Sequence, residues 1–266
     1  MYESHFGLKK KPFLNAFDGE FFYSSRAHEE AMARCRYAAG EGRGAAALTG
    51  PAGTGKTFVA SMLAREWAAA GIPVVHLRHA CLSREEFVRV LLAGLGGGMD
   101  DTGSFSALED RLAELPATGR RAVLILDDAH LQDLAVFSAV RGLLNLQAGG
   151  GLAVTVLLAG NETLWPRLRA AQIDGRVDIS FRLTALQADE IAPYVERRLR
   201  AAGAAGPLFA PDAFEPIGAW SGGIPARINR LCDTALFATY GEGAQMVDVN
   251  RVRRAIEDLE GSGPRE

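Results

Sequence analysis

The chain has 266 residues, 48% hydrophobic and 23% charged, a length and balance that fit a soluble globular protein with one large or two small domains. Its formal net charge of -3 argues against a broad electrostatic footprint for DNA or anionic lipid, and the three scattered cysteines fit a reducing compartment. The longest apolar stretch, GLAVTVLLAG at 151–160, is strand-sized and too short to span a membrane.

The opening MYESHFGLKKKPF carries three lysines with no apolar segment behind them, so it does not read as a signal peptide. After this aromatic-dotted leader, strand and helix signals alternate. AAALTG (45–50) is an apolar run ending in glycine, and KTFVASMLAREWAAAG is a helix closed by Gly71. PVVHLRH reads as a strand. SREEFVRVLLAGLGGG opens with Ser83 and Glu86 in capping-box spacing and is a helix. SFSALEDRLAEL is another helix, followed by the strand RAVLILDD, the helix LAVFSAVRGLLNLQ starting near Leu131, and the strands GLAVTVLLAG and VDISFRL. Buried strands alternating with helices imply a parallel sheet with helices on both faces.

From Thr184 the pattern changes. TALQADEIAPYVERRLRAAG starts with Thr184 and Gln187 in capping-box spacing, and its interior Pro193 is expected to bend it. PDAFEPIGAWSGG, PARINRLCDTALFATYG and DVNRVRRAIEDLEG follow with no strand between them, as in a small all-helical domain. The terminal GSGPRE (261–266) is expected to be disordered.

The chemistry concentrates in GPAGTGKT, Gly50-Pro51-Ala52-Gly53-Thr54-Gly55-Lys56-Thr57, which satisfies the P-loop pattern between a strand and a helix. Its glycines let backbone N–H groups curl round phosphate oxygens at the positive end of the following helix. Lys56 is expected to reach the β and γ phosphates of ATP, and the Thr57 hydroxyl to bind Mg²⁺. Such a site needs a carboxylate from a neighbouring strand, and LILDDAH (124–130) supplies two. Asp127 is the expected metal-side acid. Asp128 is the expected group that orients or deprotonates the attacking water, with helix capping as the competing reading. Asn161 ends the next apolar strand as a candidate γ-phosphate sensor, or alternatively as a cap or turn residue. HLRHAC brings His76, His79 and Cys81 together, but no second ligand pair follows at zinc-like spacing, so it reads as a strand end.

Taken together these residues resemble the AAA+ ATPases of the general secretion pathway protein A (ExeA-like) type, and more distantly the transposition-helper ATPases. MYESHFGLKKKPF, FFYSSRAHEEAMARCRYA, GPAGTGKT, LILDDAH, AGNETL, YVERRLRAAG and GGIPARINRLCDTAL carry the likeness along almost the whole chain. It implies an α/β fold, a P-loop NTPase with a parallel sheet flanked by helices, plus a small C-terminal helical lid. The expected domains are a leader and first helix at 1–40 packing on the ATPase core, the P-loop domain at 41–185, and the lid at 186–260.

The resemblance also implies an ATP-driven, Mg-dependent enzyme that assembles into a ring or filament with itself. Arg176 aligns with the arginine finger that reaches a neighbouring subunit's ATP, and an always-charged planar guanidinium suits that charge. Phe6, Gly7 and Phe13 lie near the adenine in relatives. Two positions depart from the pattern: Asp128 stands where glutamate is usual, and Ala226 where a lid arginine is usual. Arg227 is the candidate lid-side nucleotide contact, with Arg230 its rival. The implied role is ATP-driven assembly of an envelope secretion or export complex by a cytoplasmic protein, peripheral at the inner membrane, with a membrane partner on another chain. The alternatives are a DNA-binding ATP switch in transposition and a nucleotide-binding scaffold with little turnover.

Overall fold

The structure, a computed structural model, describes residues 1–78, 81–97, 104–115, 121–148 and 151–261. Its strands are β1 (Ala45–Thr49), β2 (Val74–Leu77), β3 (Ala122–Leu126), β4 (Gln147–Ala148), β5 (Gly151–Leu152), β6 (Val154–Ala159) and β7 (Val177–Arg182). Its helices are α1 (Tyr2–His5), α2 (Arg26–Gly40), α3 (Lys56–Ala69), α4 (Arg84–Gly94), α5 (Phe105–Glu114), α6 (Leu134–Leu143), α7 (Leu164–Ala170), α8 (Ala188–Ala201), α9 (Phe214–Ser221), α10 (Pro225–Gly241) and α11 (Val249–Gly261). They form two units. The core unit spans His28–Ala52 and Lys56–Leu183; the helical unit takes Met1–Ala27, Gly53–Gly55 and the chain from Thr184 onward.

In the core unit the sheet is parallel, in the order β2-β3-β6-β1-β7. Every residue of β1, β3 and β6 is buried, which is why those segments read as nearly continuous apolar runs: helices cover both faces. The edge strand β7 instead alternates half-buried and exposed residues. Phe87 and Leu92 of α4, Leu108 of α5 and Phe137 of α6 pack with Leu124 and Leu126 of β3, all within one apolar cluster. Each such side chain contributes about 1.5–3 kcal/mol on full burial. The expected helix LAVFSAVRGLLNLQ begins at Leu134, the first residue of that segment, and not near Leu131. A 3-10 turn covers Ala129–Leu131, α6 starts at Leu134 and ends at Leu143, and a small antiparallel β4–β5 ladder takes up the stretch before β6.

α4 begins with the expected capping box, Ser83 Oγ accepting from Glu86 N and Glu86 accepting from Ser83 N. In α8 the box lies one turn later than expected. Gln187 is the N-cap and Glu190 accepts from its N–H, so Thr184 stays outside the helix. α8 runs through Pro193 as one helix. Pro193 lies on the exposed side, while Ile191, Tyr194, Val195 and Leu199 bury the opposite face and hold the helix together.

The helical unit takes in the leader. Residues 1–27 belong with α8–α11, and only the stretch from His28 joins the core unit. Phe6, Leu8, Phe13 and Phe21 share an apolar cluster with Leu199, Ile228, Leu231 and Val252. Buried Arg198 fastens the leader: Nε donates to Pro12 O at 2.7 Å and Nη2 to Leu14 O at 2.8 Å, with the Phe21 ring 5.3 Å from its guanidinium. Tyr194 Oη donates to Asn229 Oδ1, and Asn229 Nδ2 donates to Asn15 Oδ1, both at 2.7 Å. Of the expected disordered tail, Gly261 closes α11, and residues 262–266 lie outside the described residues.

Candidate functional site

β1 delivers the P-loop. Gly50 has φ +149° and approaches Leu183 so closely that a Cβ there would sit 2.3 Å from the Leu183 carbonyl oxygen. Only glycine accepts both the conformation and the approach. Lys56 opens α3 and is 8% exposed, its Nζ donating to Gly50 O and Pro51 O, each at 2.8 Å. Burial lowers the Lys56 pKa, and the negative charges of Asp128, Asp127 and Glu162 only partly offset it. The ammonium is therefore enclosed with acids nearby, poised to gain from an incoming anion.

β3 delivers Asp127, which is 3% exposed and whose N–H donates to Leu77 O at 2.8 Å. Burial pushes its carboxyl up. The His76 and Thr57 side chains and the Asp128 N–H, which donates to Oδ1 at 3.1 Å, outweigh that and hold it below the usual range. Thr57 near the start of α3 and the carboxylate of Asp127 just past the end of β3 are two hard oxygen donors of the kind Mg²⁺ takes when phosphates and water complete its shell. The residues present fit the cation.

Asp128 is exposed, in the left-handed region at φ +45°, a conformation that Asp tolerates better than most residues. Its side chain makes no capping hydrogen bond to the 3-10 turn that follows, so the capping reading finds no support. Asn161 follows β6, and its Oδ1 accepts from Thr163 N at 2.9 Å and Thr163 Oγ1 at 2.6 Å, which makes it a turn-forming residue ahead of α7. Its own N–H donates to His130 Nδ1 at 3.4 Å. His130 closes the LILDDAH segment, and burial is the main cause holding its pKa down.

Arg176 is exposed beside Asn145, Nη2 donating to Asn145 Oδ1 at 2.8 Å. It precedes Val177, which pairs with Ala45 at the start of β1, whereas the P-loop leaves the far end of β1 after Thr49. At ~3.3 Å per residue the two ends lie more than about 13 Å apart along the sheet. Arg176 is accordingly not part of its own chain's P-loop cluster.

In the helical unit, Ala226 N donates to Gly53 O at 3.2 Å, and a Cβ on Gly53 would meet Ala226 Cβ at 2.7 Å. The residue beside the loop is therefore Ala226. Arg227, one position on, is exposed and lies 4.8 Å over the Trp220 ring, and Arg230 is exposed. One residue turns a helical side chain by about 100°, which separates these roles. His76 on β2 points to Asp127, Cys81 is exposed, and His79 lies outside the described residues.

A profile of the AAA domain matches residues 39–168. General secretion pathway protein A of Aeromonas hydrophila is 30% identical over 268 residues, covering 98% of this chain and 49% of that protein. The chain has a P-loop AAA fold and is similar to general secretion pathway protein A over nearly its whole length. It spans about half the length of that relative. Solved AAA+ structures share the fold. The Aeropyrum pernix ORC2 protein superposes with TM-score 0.71 at 16% identity, over 97% of this chain and 73% of that one. Drosophila ORC bound to DNA gives 0.70 at 16%, over 96% and 65%. The Thermotoga maritima RuvB branch-migration motor gives 0.59 at 20%, over 94% and 74%. Among the described residues, no helix is long and apolar enough to cross a membrane.

Proposed function

We propose that the protein binds ATP with Mg²⁺, hydrolyses it slowly, and assembles with copies of itself through the nucleotide site to drive assembly of an envelope secretion or export complex. The observation that carries the nucleotide reading is the convergence of Lys56, Thr57, Asp127 and Asp128 at the C-terminal ends of β1 and β3. Lys56 exchanges two backbone carbonyls for phosphate oxygens. The loop N–H groups and the start of α3 bind the same anion. Thr57 and Asp127 hold Mg²⁺, which neutralises charge on the phosphate oxygens. Exposed Asp128 orients the attacking water and takes its proton, with Asn161 beside the γ-phosphate. Arg176 serves the ATP of a neighbouring copy, and Arg227 is the lid-side contact.

The export assignment is supported by the similarity to general secretion pathway protein A, and on that reading the protein works in the cytoplasm at the inner membrane with a membrane-protein partner. Thermal shift with Mg-ATP tests the nucleotide reading. The parent protein should gain stability, about 2.7 kcal/mol at a hundredfold excess over Kd, and Lys56→Ala should not. A rise of equal size in the variant excludes the P-loop as the binding site.

A further inference from the structure

His76 occupies β2 between Val75 and Leu77, in register with Ile125 of β3. Side chains alternate along a strand, so His76, Ile125 and Asp127, two residues on from Ile125, share one face of the sheet. The imidazole is enclosed, with 9% of its side chain exposed, and neither ring nitrogen has a hydrogen-bond partner. A neutral imidazole carries one N–H and one lone pair, and leaving such groups buried without a partner costs on the order of 1–3 kcal/mol each. Any aliphatic residue would fill this strand position without that cost. The polar atom facing the ring is Asp127 Oδ2, 3.8 Å from Nε2, less than an ångström beyond hydrogen-bond range.

We propose that His76 is a positioning residue for the magnesium site, its Nε2–H holding Oδ2 of Asp127 so that the carboxylate presents a fixed face to the cation. The inference rests on the nucleotide reading above and assigns His76 no contact with the metal. Asp127 Oδ1 already accepts from the Asp128 N–H at 3.1 Å, which leaves Oδ2 as the oxygen for His76 to steady. His76 supplies that second support from the neighbouring parallel strand β2. Outer partners of this kind commonly change metal affinity 10- to 100-fold when removed.

The test compares the parent protein with His76→Leu and with His76→Gln, which keeps an N–H donor near the Nε2 position. Each is titrated with a fluorescent ATP analogue in EDTA and across a Mg²⁺ series. His76→Leu should need ~10-fold more Mg²⁺ for half-maximal tight binding, with its affinity in EDTA that of the parent, and His76→Gln should recover most of the difference. A leucine variant with the parent's Mg²⁺ requirement overturns the proposal, as does one whose affinity falls equally with and without Mg²⁺. Should the leucine variant fail to fold, ¹⁵N NMR of the parent's imidazoles decides: the His76 resonances should move when Mg²⁺ is added to the nucleotide-bound protein, and unmoved signals overturn the assignment. A parent that binds no nucleotide removes the ATP reading and His76's role together. A parent that binds equally in EDTA and Mg²⁺ leaves ATP binding standing and overturns the role of His76 alone.

Discussion

Asp128 is where a one-residue difference has the largest predicted consequence. Aspartate is one methylene shorter than the glutamate usual in the resembling ATPases, which withdraws its carboxylate by ~1.5 Å, about one bond length. A general base works within hydrogen-bond reach of its proton, or through one water, and misplacement on this scale costs on the order of 10²-fold in rate. The side chain is exposed and engaged in no cap, so it is available for this chemistry. Asp128→Asn should abolish the remaining steady-state ATPase while leaving the thermal shift with Mg-ATP intact. Asparagine also tolerates the left-handed backbone, so folding is spared. Equal ATPase rates for parent and variant would shift the task of orienting water to Asn161.

At the scale of elements, the leader depends on α8 for its place. Arg198 is buried, and its described partners are the carbonyls of Pro12 and Leu14, the Tyr194 hydroxyl and two aromatic rings. Arg198→Met keeps much of the aliphatic volume but strands those carbonyls, at about 1–3 kcal/mol for each one that water does not reach. The expected result is a lower urea midpoint and faster proteolytic cleavage within residues 10–20. An unchanged cleavage rate would mean that the Phe6, Phe13 and Phe21 contacts alone hold the leader. Gly223 makes a second element-level demand. It has φ +71°, and an added Cβ would fall 2.2 Å from Leu186 O. Gly223→Ala should therefore destabilise the start of the lid by well over ~1 kcal/mol, readable as a fall in Tm.

At the scale of the whole molecule, Arg176 lies at the end of the sheet away from the P-loop, so any role in hydrolysis requires a second copy. Arg176→Ala should bind ATP and lose ~10³-fold in turnover. Mixing it with Lys56→Ala protein should restore part of the activity, because some interfaces then combine an intact site with an intact finger. Mixtures that never exceed the sum of their components rule out action between subunits. Thiol labelling probes the fold independently. Burial pushes the Cys35 thiol up to about 12 and Cys232 higher still, while Cys81 is exposed. A thiol reagent at neutral pH should titrate one cysteine in the native protein and three in denaturant.

The apolar runs of β1, β3 and β6, the P-loop between strand and helix, and the change to consecutive helices near Thr184 were all legible in the sequence. Each is written in residues close together along the chain, where periodicity, glycine and capping act locally. Where the leader belongs is a different kind of question. Residues 1–27 carry no local mark of their partner, because apolar side chains such as Phe6 and Phe13 would bury equally well against a sheet or a helical bundle. What settled it was the distant set of acceptors, donors and apolar faces on α8 and α10. The same holds at the candidate site. HLRHAC offered ligand types without a destination, and only the β2–β3 register brings His76 against Asp127. Ala226 beside Gly53 is likewise a contact across more than 170 positions of sequence. Local periodicity determined which elements form, while contacts between distant residues decided what each one touches.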